Sequence, residues 1–211
     1  MNLNYIVIEG NIGAGKTTLS KMLAKEFNAK LILEQFADNP FLPKFYKEPD
    51  KYSFQLELSF LAERYQQLNK ELTSRDLFKP FTVADYYFMK SLIFAQATLK
   101  EDEYNLYRQI FNIIYNSIPK PDIYVYLHVD VKNLKNNIEK RGRDYEKEIS
   151  EDYLTKVQKG YFDFFRQQND IKYLVIDSNN VDFVENQDDY AKIKEIIFKK
   201  EHSVGINRIT I

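Results

Sequence analysis

The chain has 211 residues, enough for one domain with a sizeable core, and its 30 basic and 31 acidic side chains leave it close to neutral. That balance argues against bulk electrostatic binding to a nucleic acid polymer. There is no cysteine for a disulfide framework, a thiolate metal site or a thiol nucleophile, and two histidines, His128 and His202, are too few for a histidine-rich zinc site. The opening MNLNYIVIEG lacks a basic stretch followed by an apolar one. No apolar run is long enough to span a bilayer, so the expected location is cytoplasmic, with no membrane partner.

Residues 5–8 (YIVI) form a β-branched run that ends at a glycine, as a buried strand does. Leu19, Met22, Leu23 and Phe27 give residues 16–27 helical spacing, and residues 30–34 (KLILE) read as a second strand. Pro40, Pro43 and Pro49 break residues 38–50 into turns and short helices. Residues 51–74 read as a long helix, with Tyr52, Leu56 and Phe60 on one row and Leu58, Leu61, Tyr65, Leu68 and Leu72 on another. A third strand at 81–84 ends at Asp85; helices follow over 86–99, apolar on most sides, and over 103–117. Residues 122–128 (DIYVYLH) are a fourth strand, 132–140 a helix, 141–146 a charged loop, 150–168 a helix, 172–176 a fifth strand and 190–200 a last helix. The tail 202–211 is left unassigned. No repeat or low-complexity linker interrupts the pattern, so residues 1–211 read as a single domain.

Strands alternate with helices, and the strands are apolar runs rather than alternating ones. That pattern predicts an α/β fold with a five-stranded parallel sheet covered by helices on both faces. Right-handed crossovers place the C-terminal strand ends on one edge, where such folds bind ligands. Gly10, Glu34 and Asp85 lie at or just past the ends of strands one, two and three, and should converge there.

Gly10-x-x-x-x-Gly15-Lys16-Thr17 fits the phosphate-loop pattern between a strand and a helix. Glycine lets backbone N–H groups crowd around an anion, and the following helix adds its positive dipole end. Gly10, Asn11, Ile12, Gly13, Ala14, Gly15, Lys16, Thr17 and Thr18 are the expected nucleotide-binding residues. Lys16 reaches the β- and γ-phosphates of a nucleoside triphosphate, and the Thr17 hydroxyl is a ligand for Mg²⁺. The stretch N-K-x-D that a switch GTPase needs to read its base is absent, and the chain is short for an oligomeric ATPase. A small-molecule kinase needs a base, a metal carboxylate and arginines for the transferring group. Glu34, Asp85 and the pair Arg141 and Arg143 offer these in turn.

Taken in order, GNIGAGKTT, LILEQF, FYKEPDKYSFQLE, ADYYFMKS, KRGRDYEKEI and VIDSNNVDF resemble the deoxynucleoside kinase family, and they span most of the chain. The resemblance implies a phosphate-loop kinase fold with a small lid, ATP and Mg²⁺ as cofactors, a nucleoside acceptor and a helical homodimer. It implies that Glu34 takes the proton from the 5′-hydroxyl, and that Tyr46 and Glu146 contact the sugar 3′-hydroxyl. It implies that Gln55 reads the base edge, with Phe54 and Phe88 or Phe111 as candidates to sandwich the base. Arg141 and Arg143 match the lid arginines, whose planar forks suit phosphate oxygens. The loop from Asp177 to Asp182 matches the part that holds the ATP adenine, mostly through its backbone.

One departure stands out. After strand three the family usually has an acidic residue, arginine and serine, whereas this chain reads Asp85-Tyr86-Tyr87. Lys90, four residues beyond Tyr86 on the expected helix, is the candidate to replace the missing charge and pair with Glu34. The lids and tail-side motifs resemble bacterial purine-type members, which favours deoxyadenosine as the acceptor. Two rivals stay open: a thymidylate-type kinase, for which Arg64 or Arg75 would have to bind an acceptor phosphate, and a nucleotide-binding regulator without turnover.

Overall fold

Strands of three to six residues form a single parallel sheet, and all but the last are largely apolar runs. In chain order the elements are β1 (Tyr5–Gly10), α1 (Lys16–Glu26), β2 (Lys30–Ile32), α2 (Leu42–Lys47), α3 (Pro49–Thr73), β3 (Thr82–Ala84), α4 (Lys90–Thr98) and α5 (Glu101–Tyr115). Then come β4 (Ile123–His128), α6 (Val131–Arg141), a 3₁₀ turn (Asp144–Glu146), α7 (Glu151–Gln167), β5 (Lys172–Asp177), α8 (Gln187–Phe198) and β6 (Gly205–Thr210). The computed structural model describes residues 3–35, 39–73, 76–168 and 170–211. Asp38, Ser74 and Arg75 lie outside them.

The strand order is β2-β3-β1-β4-β5-β6. From β1 the chain first moves to one side of the sheet, and with β4 it crosses to the other. The crevice expected at such a switch therefore opens at the C-terminal end of β1, where the phosphate loop begins. The two faces of the sheet differ in character. Tyr5, Val7, Tyr124, Tyr126, Tyr173 and Val175 form an aromatic face against α3, α4, α5 and α7. Ile6, Ile8, Val125, Leu127, Leu174 and Ile176 form an aliphatic face against α1, α6 and α8. Both faces being buried, β1, β4 and β5 carry no polar alternation.

Two sequence expectations are corrected. The sheet has six strands among the described residues, not five, because the tail adds β6 alongside β5 from Lys172↔Gly205 to Asp177↔Thr210. GINRIT is only half-buried and bonds to one neighbour, so its stability comes from the ladder and not from an apolar pattern. The helix expected over 86–99 starts at Lys90. Upstream, the Tyr87 N–H donates to the buried Glu9 carboxylate at 3.1 Å instead of to a helical carbonyl. The first helical bonds are then tight ones, from Lys90 to Tyr87, Ser91 to Phe88 and Leu92 to Met89.

α4 is apolar around its circumference because α3, α5 and α7 surround it. Its approach to α7 needs Gly160, where a Cβ would stand 3.0 Å from Ile93 Cγ2. The large apolar side chains left outside this helical layer are Leu58 on α3 and Leu106 and Ile113 on α5, which are 37%, 51% and 79% exposed.

Candidate active site

The phosphate loop takes its shape from its glycines. Gly13 and Gly15 have φ of 85° and 88°, and a Cβ on them would stand 2.9 Å from the Leu134 carbonyl oxygen and from the Phe183 ring respectively. Asn11 is buried behind the loop; its amide donates to the Leu154 carbonyl at 2.8 Å and its side-chain oxygen accepts from the Ile12 N–H. Asn137 of α6 braces the outer side by donating to the Gly13 carbonyl at 3.0 Å. Lys16 opens α1, and its ammonium donates to the Asn11 carbonyl at 2.9 Å. Burial, with Lys90 adding, lowers the Lys16 pKa to about 8. An anion in the loop would restore the charge.

Two cavities meet at this loop. One is walled by Phe45, Tyr46, Leu56, Glu57, Phe60, Phe94 and Tyr153, the mostly apolar lining of a small-molecule site. The other is wider and more polar; Gly13, Ala14, Gly15, Thr18, Lys21, Asn133, Ser178, Asn179 and Phe183 line it. Lys16, Thr17, Glu34, Asp85, Arg141 and Arg143 line both, and so stand on the boundary.

Asp85 ties the ends of β2 and β3 to the start of α1. Its Oδ1 accepts from the Glu34 N–H at 2.7 Å, and its Oδ2 accepts from the Thr17 hydroxyl at 2.5 Å. The Asp85 N–H in turn donates to the Ile32 carbonyl at 3.0 Å, which ends β2 two residues before Glu34. The hydroxyl and carboxylate oxygens are hard donors that suit Mg²⁺, which uses one or two carboxylates together with substrate phosphates. No cluster of three or more metal-ligating side chains exists among the described residues, so the triphosphate would have to complete the shell.

Glu34 is gripped on both oxygens. Arg64 of α3 donates to Oε1 through Nε at 2.9 Å and sits 2.8 Å from it through a terminal nitrogen. Lys90 meets Oε2 at 2.5 Å. Burial alone would raise this carboxyl's pKa; Lys90 and then Arg64 reverse that and bring it down to about 2. Arg64 also donates to Ser91 Oγ at 2.9 Å and lies over the Phe60 ring. The charge missing after β3 is thus supplied from two other places: Lys90 at the start of α4, and Arg64 two helical turns along α3 from Glu57. Tyr86 is buried and its hydroxyl donates to Gln67 at 2.7 Å.

Arg141 and Arg143 flank Glu146, which is buried between them; Arg143 meets its Oε1 at 3.1 Å, and Arg141 its Oε2. Gly142, with φ of 71°, ends α6 and turns the chain between the two arginines. Tyr46 stacks on Tyr145 in the cavity wall, ring centres 6.0 Å apart. Asp177 stands behind the polar cavity, where its carboxylate holds the turn by accepting from the Asn179 backbone and amide. Two expected base contacts fall elsewhere. Gln55 is on the exposed side of α3, and Phe88 is buried in the core against Phe111, ring centres 5.0 Å apart. The cavity receives Glu57 and Phe94 in their stead.

A phosphate loop, a carboxylate held at the boundary of two cavities and a pair of arginines on the same boundary define a phosphotransferase of the phosphate-loop class. The deoxynucleoside kinase family model matches residues 6–202, and the chain belongs to that family. It is 39% identical to the deoxyguanosine kinase of Bacillus subtilis (strain 168) over 92% of this chain and 97% of that protein. It is 29% identical to the deoxyadenosine/deoxycytidine kinase of the same organism, over 94% of each. A solved structure of deoxyadenosine kinase from M. mycoides with bound dATP aligns with a TM-score of 0.77 at 28% identity, covering 90% of this chain and 98% of that one. The chain is therefore an ATP-dependent phosphotransferase with deoxynucleoside kinase activity. No helix among the described residues is long and apolar enough to cross a membrane.

Proposed function

We propose that this chain, working as a single domain in the cytoplasm, transfers the γ-phosphoryl group of ATP to the 5′-hydroxyl of a purine deoxynucleoside. One observation carries the assignment: the six side chains shared by the two cavities are those that phosphoryl transfer requires. The triphosphate takes the polar cavity and the nucleoside the apolar one. The 5′-hydroxyl and the γ-phosphorus then meet between Lys16, Glu34 and Arg141.

Glu34 orients the 5′-hydroxyl and receives its proton. Both its oxygens already accept hydrogen bonds, yet a carboxylate has about four lone-pair sites and can take one more donor. The transition state is loose, so the proton leaves late and the carboxylate's first task is alignment. Lys16 and the forks of Arg141 and Arg143 stabilise charge on the transferring oxygens. Thr17 and Asp85 would hold Mg²⁺, which would supply positive charge to offset that of the phosphates. Tyr46 and Glu146 bind the sugar.

The purine preference rests on the motif resemblance, with deoxyadenosine as the first expectation; relatives named for deoxyguanosine and for deoxyadenosine support the class without separating the two. Measuring ADP formation with deoxyadenosine, deoxyguanosine, thymidine and thymidylate tests the assignment. A purine deoxynucleoside is expected to be the best acceptor. Thymidylate as the best acceptor would replace it with the nucleotide-kinase reading, and acceptor-independent ADP formation, or none, with the regulator reading. Arg64 speaks against thymidylate, since its guanidinium is engaged by Glu34 and Ser91.

We also propose a two-fold dimer through the outer face of α3 and α5, where Leu58, Leu106 and Ile113 are uncovered. Light scattering at micromolar concentration should give the mass of two chains; a monomer mass contradicts it.

A further inference from the structure

Glu57 is the most unusual side chain in the apolar cavity. It lies on the inner face of α3, 2% exposed, in a wall otherwise built by Phe45, Leu56, Phe60, Phe94 and Tyr153. Its Oε1 accepts from the Thr98 hydroxyl at 3.1 Å, but that hydroxyl also lies 2.9 Å from the Phe94 carbonyl, and one hydrogen serves one acceptor at a time. Its Oε2 is buried with no hydrogen-bond partner among the described residues. An unsatisfied carboxylate oxygen in an apolar wall is costly, and such a group calls for a function. Glu34 next door shows the contrast, with a cation on each oxygen.

A carboxylate is acceptor-only. A planar base that slides between these rings presents its pairing edge, and the edges differ in what they offer. Guanine offers two parallel donors, N1–H and the 2-amino group, matched to the two oxygens of one carboxylate. Adenine and cytosine each offer a ring-nitrogen acceptor beside an amino donor, so an ionised carboxylate would meet a lone pair head-on. An amide would suit those two bases, because it carries one donor and one acceptor side by side.

We propose that Glu57 reads the base and selects guanine, so that deoxyguanosine is the preferred acceptor. This rests on the apolar cavity being the nucleoside site. It also departs from the expectation of deoxyadenosine and of Gln55 as the reader.

The charge state of Glu57 adds a second handle. Burial raises its carboxyl pKa to about 7, with Arg64, the Thr98 hydroxyl and Lys90 pulling the other way and Glu34 adding to the rise. The other titratable groups facing it are Tyr107 of α5, whose hydroxyl donates to the Glu57 carbonyl, Tyr153 of α7 and Tyr46 of α2. All three tyrosines are pushed above their ordinary value by burial, so they stay neutral through the neutral range. A protonated Glu57 has one donor and one acceptor, which complements adenine. Discrimination for guanine should therefore sharpen as pH rises from 6 to 8.

The test is kcat/KM with MgATP for deoxyguanosine, deoxyinosine, deoxyadenosine and deoxycytidine at pH 6, 7 and 8, for the natural chain and for Glu57→Gln. The natural chain should favour deoxyguanosine over deoxyadenosine by at least about tenfold at pH 8, and by less at pH 6. Deoxyinosine, which lacks the 2-amino donor, should fall about tenfold below deoxyguanosine. Glu57→Gln should reverse the order toward deoxyadenosine or deoxycytidine and remove the pH dependence of the ratio. A natural chain that prefers deoxyadenosine at pH 8, or a folded Glu57→Gln that still prefers deoxyguanosine, overturns the role of Glu57 and leaves the kinase assignment standing. The pH series on the natural chain decides the matter even if the variant fails to fold. Failure of every deoxynucleoside to accept phosphate would overturn the placement of the acceptor as well.

Discussion

Glu34→Gln is expected to lower kcat by about 10²–10⁴, the range that a positioned general acid–base group supplies, while nucleoside affinity stays within several-fold. The change keeps the shape of the side chain and removes its charge. It also disturbs the clamp. Arg64 and Lys90 each donate to one oxygen of Glu34, and an amide can accept on one side only. One cation is then left facing an N–H, so the melting temperature must be measured beside the rate. Loss of affinity with kcat retained would make Glu34 a binding residue and defeat the assignment.

The pH dependence follows from the same clamp. The folded pKa of Glu34, at about 2, lies below the ordinary carboxylate value of 4.5. Its contribution to stability is therefore fully present above about pH 4.5 and is lost as pH falls through the folded value. The same shift keeps the base ionised across the working range, so Glu34 gives the natural chain no acid limb in kcat. Lys16, lowered to about 8, bears on the alkaline side in the free protein.

The parts of this site that sequence revealed are the local ones. Gly10 to Thr18 is a contiguous loop whose chemistry needs no tertiary knowledge, and Asp85 and Glu34 follow from the rule that parallel strands end on one edge. The less legible part lies on α3. Its buried positions are Ser53, Leu56, Glu57, Phe60, Leu61, Arg64 and Leu68, a helical stripe that takes in Glu57 and Arg64 and leaves out Gln55. The two expected apolar rows are otherwise inward, with Leu56, Phe60, Leu61 and Leu68 buried, and Leu58 is the member that is exposed. The signal was two charges, seven residues apart, inside an otherwise apolar stripe. Burial of that kind is rarely unpaired, and so it points to partners or to a task. Glu9 is silent in the sequence for a different reason. It reads as the polar end of β1, and only the fold shows it accepting from Tyr87, Gly10 and Tyr161 and so fixing where α4 begins. The sequence places Lys90 one turn beyond Tyr86 on a helix, whereas α4 does not extend back to Tyr86. Its ammonium nevertheless meets Glu34, because as the first residue of α4 it stands at the end of that helix nearest the strand ends.

Lys90→Met preserves the stem and deletes the charge. A hydrogen bond to a charged group is worth about 1.5–3 kcal/mol, so loss of this one is expected to lower kcat roughly ten- to a hundredfold. The protein should remain folded, since Arg64 still pairs with Glu34 on its other oxygen. With Lys90 gone, the strongest influence holding the Glu34 carboxyl down is removed. The folded pKa should rise, and the pH profile of kcat should gain an acid limb that the natural chain lacks. A purely structural lysine would shift stability without creating that limb. The double variant Lys90→Met with Glu34→Gln separates the alternatives. If Lys90 acts only by charging and aiming Glu34, then once the carboxylate is gone there is nothing left for it to act on. The double variant should be no slower than Glu34→Gln by more than a few-fold. Arg64→Lys should fail to substitute for Arg64 within the same cycle, because an ammonium cannot reproduce a fork that reaches Glu34 and Ser91 together. Fully additive losses, or a Lys90→Met enzyme with unchanged kcat and no acid limb, would mean that Arg64 alone orients the base and that Lys90 is a packing residue with its charge resting against Phe94.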